Sequence, residues 1–142
     1  FILMRRYRYK TDVPYFLHDI RIEKMKVMDH SLKLFFEHGF IQSKKPYKQV
    51  DGTILLEKIN LDFCFVYLLN NNGKLGEFYG QKMTLTEFLK RYEDFSFEVI
   101  GESYGYSFAV YNGYLILPKQ NDFNELSIMI SYEGDMIYET DE

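Results

Sequence analysis

Three histidines stand early in the chain, each beside an acid: His18-Asp19, Asp29-His30 and Glu37-His38. An imidazole oriented by a carboxylate can move a proton near neutral pH or ligate a metal ion. A hairpin turning at Asp29-His30 would fix how these residues meet. Val27 then faces Leu32 and Met25 faces Leu34, which makes one apolar face. Beyond Met25 the apolar positions change phase to Ile22 and Ile20. An extra residue near Glu23-Lys24, a β-bulge, restores the match and pairs Ile22 with Phe36 and Ile20 with His38. His18 then faces Phe40, so His18 and His38 become neighbours on the apolar face, with His30 at the far end. The candidate site is therefore His18, Asp19 and His38. Two ligands on one hairpin are too few for a metal centre, so no metal is expected. On such a face both rings are expected to be mostly buried, each bonded to backbone or to a single carboxylate.

Other patterns carry less. Gly101-Glu102-Ser103-Tyr104-Gly105 fits the G-x-S-x-G spacing of a nucleophile elbow, which needs a strand turning sharply into a helix. The residues that follow, Tyr106 to Tyr111, read as strand, and all three histidines precede Ser103. No elbow is expected. His18-Asp19 matches the dipeptide of metal-dependent phosphohydrolases, but those need a further histidine upstream and helical surroundings. Gly73-Lys74 lacks the earlier glycine of a phosphate loop, and Asn70 to Gly73 lacks the carboxylates of a calcium loop. Cys64 lies in the apolar run Leu61 to Leu69 and is expected to be a buried, inert thiol. Arg5-Arg6-Tyr7-Arg8-Tyr9-Lys10 interleaves bases and rings, yet reads as a strand with one solvated basic face. Tyr104, Tyr106, Tyr111 and Tyr114 cluster near two turns and form the candidate interaction surface.

These residues need a framework, and composition indicates which kind. The 142 residues suit one domain, 1–142. Phe and Tyr number 13 each with no Trp, which leans the chain towards strands, where flat rings pack on a pleated surface. One cysteine excludes an internal disulfide and favours a reducing, cytoplasmic setting. No apolar run approaches the ~20 residues of a membrane helix, and Phe1 to Met4 is too short for a signal-peptide core. Phe1 is no initiator, which implies a chain trimmed upstream or carrying a foreign residue. Residues 1–71 carry a net +4 and residues 72–142 a net −8, for a whole-chain charge of −4. Either two charged lobes or two halves interleaved in one sheet would account for this. The acidic total disfavours nucleic acid as a partner.

Turn signals at Asp29-His30, His38-Gly39, Asp51-Gly52, Asn71-Asn72-Gly73, Asn112-Gly113 and Glu133-Gly134 divide the chain into strand-length runs. These runs cover about 19–28, 31–37, 53–58, 61–69, 75–80, 95–103, 106–111, 114–118, 125–132 and 135–139. The spacing predicts a mainly antiparallel β fold, an α+β roll or sandwich of about 8–10 strands. One segment, 84–92, breaks the pattern. Thr84 can cap a helix and Glu87 completes a capping box. Leu85, Phe88, Leu89 and Tyr92 fall at i, i+3, i+4 and i+7, the stripe of a short amphipathic helix docked on the sheet. The run 61–69 is apolar on both faces, as in a central strand covered on both sides.

The stretch Tyr15-Phe16-Leu17-His18-Asp19-Ile20-Arg21-Ile22, followed by Leu32 to Phe40, resembles small uncharacterised proteins of Gram-positive bacteria. They open with a similar HD-x-x-I hairpin ending in Gly-Phe. The likeness covers about the first third of the chain and implies a bacterial origin without any chemistry.

With no intact catalytic constellation, the sequence points to a non-catalytic cytoplasmic binding or protein-interaction module that needs no cofactor. Its partner would be a protein or a small ligand, with self-association as a homodimer open. The alternative is a hydrolase or metal-dependent enzyme centred on His18, Asp19 and His38.

Overall fold

In a computed structural model, residues 2–7, 13–71, 78–118 and 124–141 are described. The expected turn at Asn72-Gly73, the start of the 75–80 run and the basic residues after Tyr7 lie outside them. Strands follow in the order β1 (Leu3–Tyr7), β2 (Tyr15–Phe16), β3 (Ile20–Met28), β4 (Ser31–Phe36), β5 (Phe40–Gln42), β6 (Gln49–Val50) and β7 (Gly52–Leu56). A 3-10 turn (Leu61–Phe63) leads into β8 (Phe65–Asn71), β9 (Phe78–Thr84) and the helix α1 (Leu85–Arg91). The chain ends in β10 (Ser96–Gly105), β11 (Phe108–Ile116), β12 (Asn124–Ser131) and β13 (Met136–Thr140).

Ten strands form one sheet in the order β1-β13-β7-β4-β3-β10-β11-β12-β8-β9, and every neighbouring pair is antiparallel. The remaining three, β2-β5-β6, make a small second sheet. The protein is thus mainly antiparallel β. Inward side chains from both ends of the large sheet, such as Leu34 and Val66, belong to one buried cluster. Strands of the basic first half and the acidic second half are interleaved in the sheet, since β13 sits between β1 and β7 and β8 between β12 and β9. Arg6 of the first half meets Asp135 of the second, with Nη1 3.5 Å from Asp135 Oδ2, and the same nitrogen lies 3.1 Å from Glu57 Oε1 of its own half. No helix of the described residues is long and apolar enough to cross a membrane.

The β3–β4 hairpin turns on Asp29 and His30, whose φ angles of 45° and 66° supply the positive values that a two-residue turn needs. Its register runs Val27↔Leu32 and Met25↔Leu34, then shifts to Ile22↔Phe36, with Glu23 as the bulged residue. The phase change in the sequence marks this bulge. The helix also lies where its stripe predicts. Thr84 Oγ1 accepts from the Glu87 amide at 3.1 Å, Leu85 and Phe88 are buried, and the Phe88 ring packs on Tyr92 and Phe95.

Two segments depart from expectation. The run 61–69 begins as a 3-10 turn, and β8 lies one strand from the sheet edge rather than at its centre. Asn112-Gly113 is no turn, because β11 runs straight through it. Opposite this point β10 carries a bulge between Val99 and Gly101 that presses the Glu98 carbonyl against Gly113. A Cβ at 113 would collide with that oxygen. Glycine is there for close approach rather than for a positive φ.

Candidate functional site

The same bulge builds the site. On β10, Phe97 and Val99 are buried with Ser96 and Glu98 between them less so, so odd positions face inward. The bulge reverses this phase, and beyond it Tyr104 is buried while Ser103 is exposed. Glu102 therefore shares the inner side with Tyr104, two residues on. Without the extra residue, Ser103 would point inward and Glu102 would be a solvated surface acid.

Against the bulge lies the tight turn Leu17–Ile20, closed by a hydrogen bond from the Ile20 amide to the Leu17 carbonyl at 2.9 Å. Asp19 takes φ 62° in it. The turn and the bulge satisfy each other's backbone groups. The Asp19 amide donates to the Val99 carbonyl at 2.8 Å, and His18 Nδ1 donates to the Ile100 carbonyl at 2.7 Å. The Leu17 amide would be an orphan donor, and Glu102 Oε2 accepts from it at 2.6 Å. The other carboxylate oxygen, Oε1, accepts from the Tyr104 hydroxyl at 2.9 Å.

Around this joint opens a cleft of about 480 Å³ lined by Val13, Phe16, His18, Ile100, Glu102, Ser103 and Tyr104. Phe16 and Ile100 keep substantial exposed apolar surface and form its walls. Burial pushes the Glu102 carboxyl above its ordinary range, while the Leu17 amide, the Tyr104 hydroxyl and the charge of His18 act in the opposite direction. Behind it sits a dense aromatic group. The Tyr104 and Tyr111 rings meet edge to face at 5.9 Å, and Tyr138 contacts Tyr15 and Phe40. The hydroxyls of Tyr111 and Tyr138 are buried beside that of Tyr104, within electrostatic reach of Glu102. Burial raises the pKa of Tyr104, Tyr111 and Tyr138.

The sequence-predicted residues divide. His18 lines the cleft, with Nε2 3.3 Å from Asp19 Oδ2. His38 is not among the lining residues, and its Nε2 lies 3.6 Å from Glu37 Oε1. Both rings are exposed rather than sealed, at 65% for His18 and 76% for His38. The cause is where the β3–β4 ladder ends. It stops at Ile22↔Phe36, while on its opposite edge β3 runs on beside β10 through Arg21↔Glu98 and Ile20↔Val99. Meanwhile β5 turns away to join β2 and β6. Ile20 thus never meets His38. No group of three or more His, Cys, Asp or Glu that could hold a metal ion occurs among the described residues.

The four tyrosines of the expected interaction surface do not form one surface. Tyr104 and Tyr111 are core residues, and Tyr106 is 75% exposed at the β10–β11 turn. Tyr114 lies with Leu69, Ile100 and Glu125 in a separate shallow cleft. Ser103 sits within β10, paired with Val110, and no strand-to-helix elbow surrounds it. Cys64 is buried, its Sγ 3.5 Å from the Ser131 carbonyl, and desolvation raises its pKa.

The residue that sequence reasoning missed is Glu102. Its signal was present: apolar residues hold odd positions at 95, 97 and 99, then an even one at 104. That is the same kind of phase change that marks the bulge in β3. The fold and site together define an antiparallel β protein with a carboxylate-floored cleft. No protein-family model, curated protein or solved structure matches the chain.

Proposed function

We propose that the protein is a non-catalytic, cytoplasmic binding module of bacterial origin, and that the Glu102 cleft receives a cationic group. That group would be the ammonium or guanidinium of a small ligand or of a partner protein's side chain. The observation that carries this is a part-buried carboxylate at the head of an open, apolar-walled cleft. Two of its roughly four lone-pair sites are used by the Leu17 amide and the Tyr104 hydroxyl, which leaves room for further donors. Among the described residues that line the cleft, His18 alone can carry positive charge. An incoming cation would offset the desolvation of Glu102, and Phe16 offers a ring face beside it. The lone buried thiol fits a reducing compartment.

The test is amide chemical-shift mapping with n-butylammonium and, as a neutral control, n-butanol. Saturable shifts at Val13, Phe16 and Ser103 with the cation alone, abolished in Glu102→Gln, support the proposal. Equal shifts with butanol, or shifts that survive in Glu102→Gln, rule out recognition of charge.

A second function has one observation in its favour. His18 and Glu102 line the same cleft and act electrostatically on each other, as an acid–base pair does. In that hydrolase, Asp19 would orient the ring from 3.3 Å. Turnover of an ester or phosphoester substrate that is lost in His18→Ala would favour it over the binding module.

A further inference from the structure

The outer face of the β3–β4 hairpin carries a concentration of positive charge. Met25, Leu32 and Leu34 are buried on the inner face, which turns Lys24, Lys26, Lys33 and Phe35 outward. Register makes these four a block: Lys24 stands opposite Phe35, and Lys26 directly opposite Lys33. The Lys24 and Lys33 ammonium groups lie 5.7 Å and 5.4 Å from the centroid of the Phe35 ring. On the far side β7 adds Thr53 beside Phe35 and Leu55 beside Lys33. Among the described residues no acid lies within ion-pair distance of the three lysines. The acid at the open end of the hairpin, Glu37, is met by Arg21 at 3.7 Å.

Such a block works against the fold. Like charges directly opposite on a sheet destabilise it, and lysine is a poor strand former. Lysines often guard the edge of a sheet, but β3 and β4 are both interior strands. Composition does not force the choice either, since acids outnumber bases, 21 against 17. We propose that the block is a docking platform for single-stranded nucleic acid. Charge is the first match, because ammonium groups neutralise phosphates and release their counterions. The ring is the second: Phe35 is a surface on which a base stacks, with Lys24 and Lys33 beside it for the flanking phosphates. Spacing is the third. Lys24 and Lys26 are ~6.8 Å apart along one strand, close to the separation of successive phosphates in an extended chain. The Thr53 hydroxyl can add a bond to a phosphate or sugar oxygen. A carboxylate-bearing peptide would match the charges but make no use of the ring. The platform lies on the outer side of the sheet, so it is independent of the Glu102 cleft on the inner side.

Fluorescence anisotropy of a fluorescein-labelled oligo-dT, titrated with the full chain at several salt concentrations, tests it. The expected result is saturable binding whose logarithmic salt dependence has a slope of about −2, since each phosphate contact contributes roughly −0.7. Lys26→Gln should flatten that slope by about 0.7. Because it also removes the like-charge pair with Lys33, it should leave the urea midpoint unchanged or raised. Phe35→Leu keeps the charge and an apolar side chain, so it should weaken binding about fivefold or more at an unchanged slope. Lys90→Gln, on the exposed face of α1, should bind as the parent does. Absence of saturable binding overturns the proposal, as does an equal loss in Lys90→Gln, which would mark diffuse charge attraction. Binding by Phe35→Leu equal to the parent would overturn it too, because no base then stacks on the ring. Tighter binding of poly-glutamate than of oligo-dT would overturn it in favour of an acidic protein partner. Circular dichroism of each variant, unchanged from the parent, keeps a loss of affinity from being mistaken for a loss of fold.

Discussion

Tyr104 and Glu102 stand two residues apart on β10, and the Tyr104 hydroxyl donates to Glu102 Oε1 over 2.9 Å. Alternate strand positions share a face, so the two groups meet with no help from tertiary contacts. The tertiary contribution is to turn that face inward, by the bulge at Val99–Gly101. A carboxylate, three tyrosines and the Leu17 amide then share a space from which water is largely removed.

A stability signature follows for Glu102. Burial is the largest influence on its carboxyl and raises the pKa above the unfolded value. Between the two values the native state holds a proton that the unfolded state has lost, so stability falls as pH rises through that window. The contribution is fully present below the unfolded value, near pH 4.3. Glu102→Gln keeps an acceptor for the Leu17 amide and removes the titration. Urea midpoints of parent and variant, compared at a series of pH values, should move in the variant's favour as pH increases. A difference that stays flat with pH would contradict the raised carboxyl.

The buried tyrosines should respond at the alkaline end. Desolvation holds Tyr104, Tyr111 and Tyr138 protonated above the ordinary tyrosine value of 10.0. Native protein again binds more protons than unfolded protein, so stability declines as pH rises past that value. A spectrophotometric phenolate titration, followed alongside circular dichroism, reads this out. Tyr104, Tyr111 and Tyr138 should ionise in step with loss of the far-ultraviolet β signal. Smooth ionisation of all 13 tyrosines before any unfolding would exclude a dry cluster.

The helix carries a packing prediction. Phe88→Ala should cost ~3–5 kcal/mol and Leu85→Ala about 2–5 kcal/mol, because each opens a cavity between α1 and the sheet. Thr86→Ala, on the exposed side of the same helix, should stay within about 0.5 kcal/mol. Denaturant midpoints decide this, and equal effects at positions 86 and 88 would show that α1 does not dock by its stripe.

Gly113 offers a sharper steric test. Its missing Cβ is what allows the Glu98 carbonyl of the bulged strand to sit where it does. Gly113→Ala should destabilise by ~1–3 kcal/mol as backbone shifts to relieve the clash. Gly101→Ala, where an added Cβ meets only Asn112 atoms at ordinary contact distance, should be tolerated far better. Thermal unfolding of the two variants side by side measures the difference, and equal shifts would show that Gly113 is not selected by this close approach.

Local order was legible in the sequence where it depends on neighbours. The α1 stripe, the Asp29-His30 turn and the Glu23 bulge all follow from periodicities within a few residues. The candidate site was legible only in part, since His18 was named but its partner Glu102 was not. The bond from Glu102 to Leu17 spans 85 positions, and local pattern holds no record of which strand will lie beside the His18 turn. The same limit misplaced His38. The hairpin register, correct down to Ile22↔Phe36, was extended past the point where the β3–β4 ladder ends and β3 keeps only β10, on its opposite edge. Asn112-Gly113 failed for another reason: a glycine serving close approach and a glycine serving a turn look alike in one sequence.

The placement of β13 has a consequence for how the protein is made. In the large sheet, among the described residues, β1 pairs with β13 alone, and β7 needs β13 on one side. During synthesis β1 therefore waits for that partner until β13 has been made. Contacts between strands so far apart in sequence close late and slowly, because the entropy of a long loop is lost before any of them forms. Strand β1 and the neighbouring edge of β7 are the parts most exposed to wrong partners in that interval, and the chain's net charge of −4 helps keep such encounters apart.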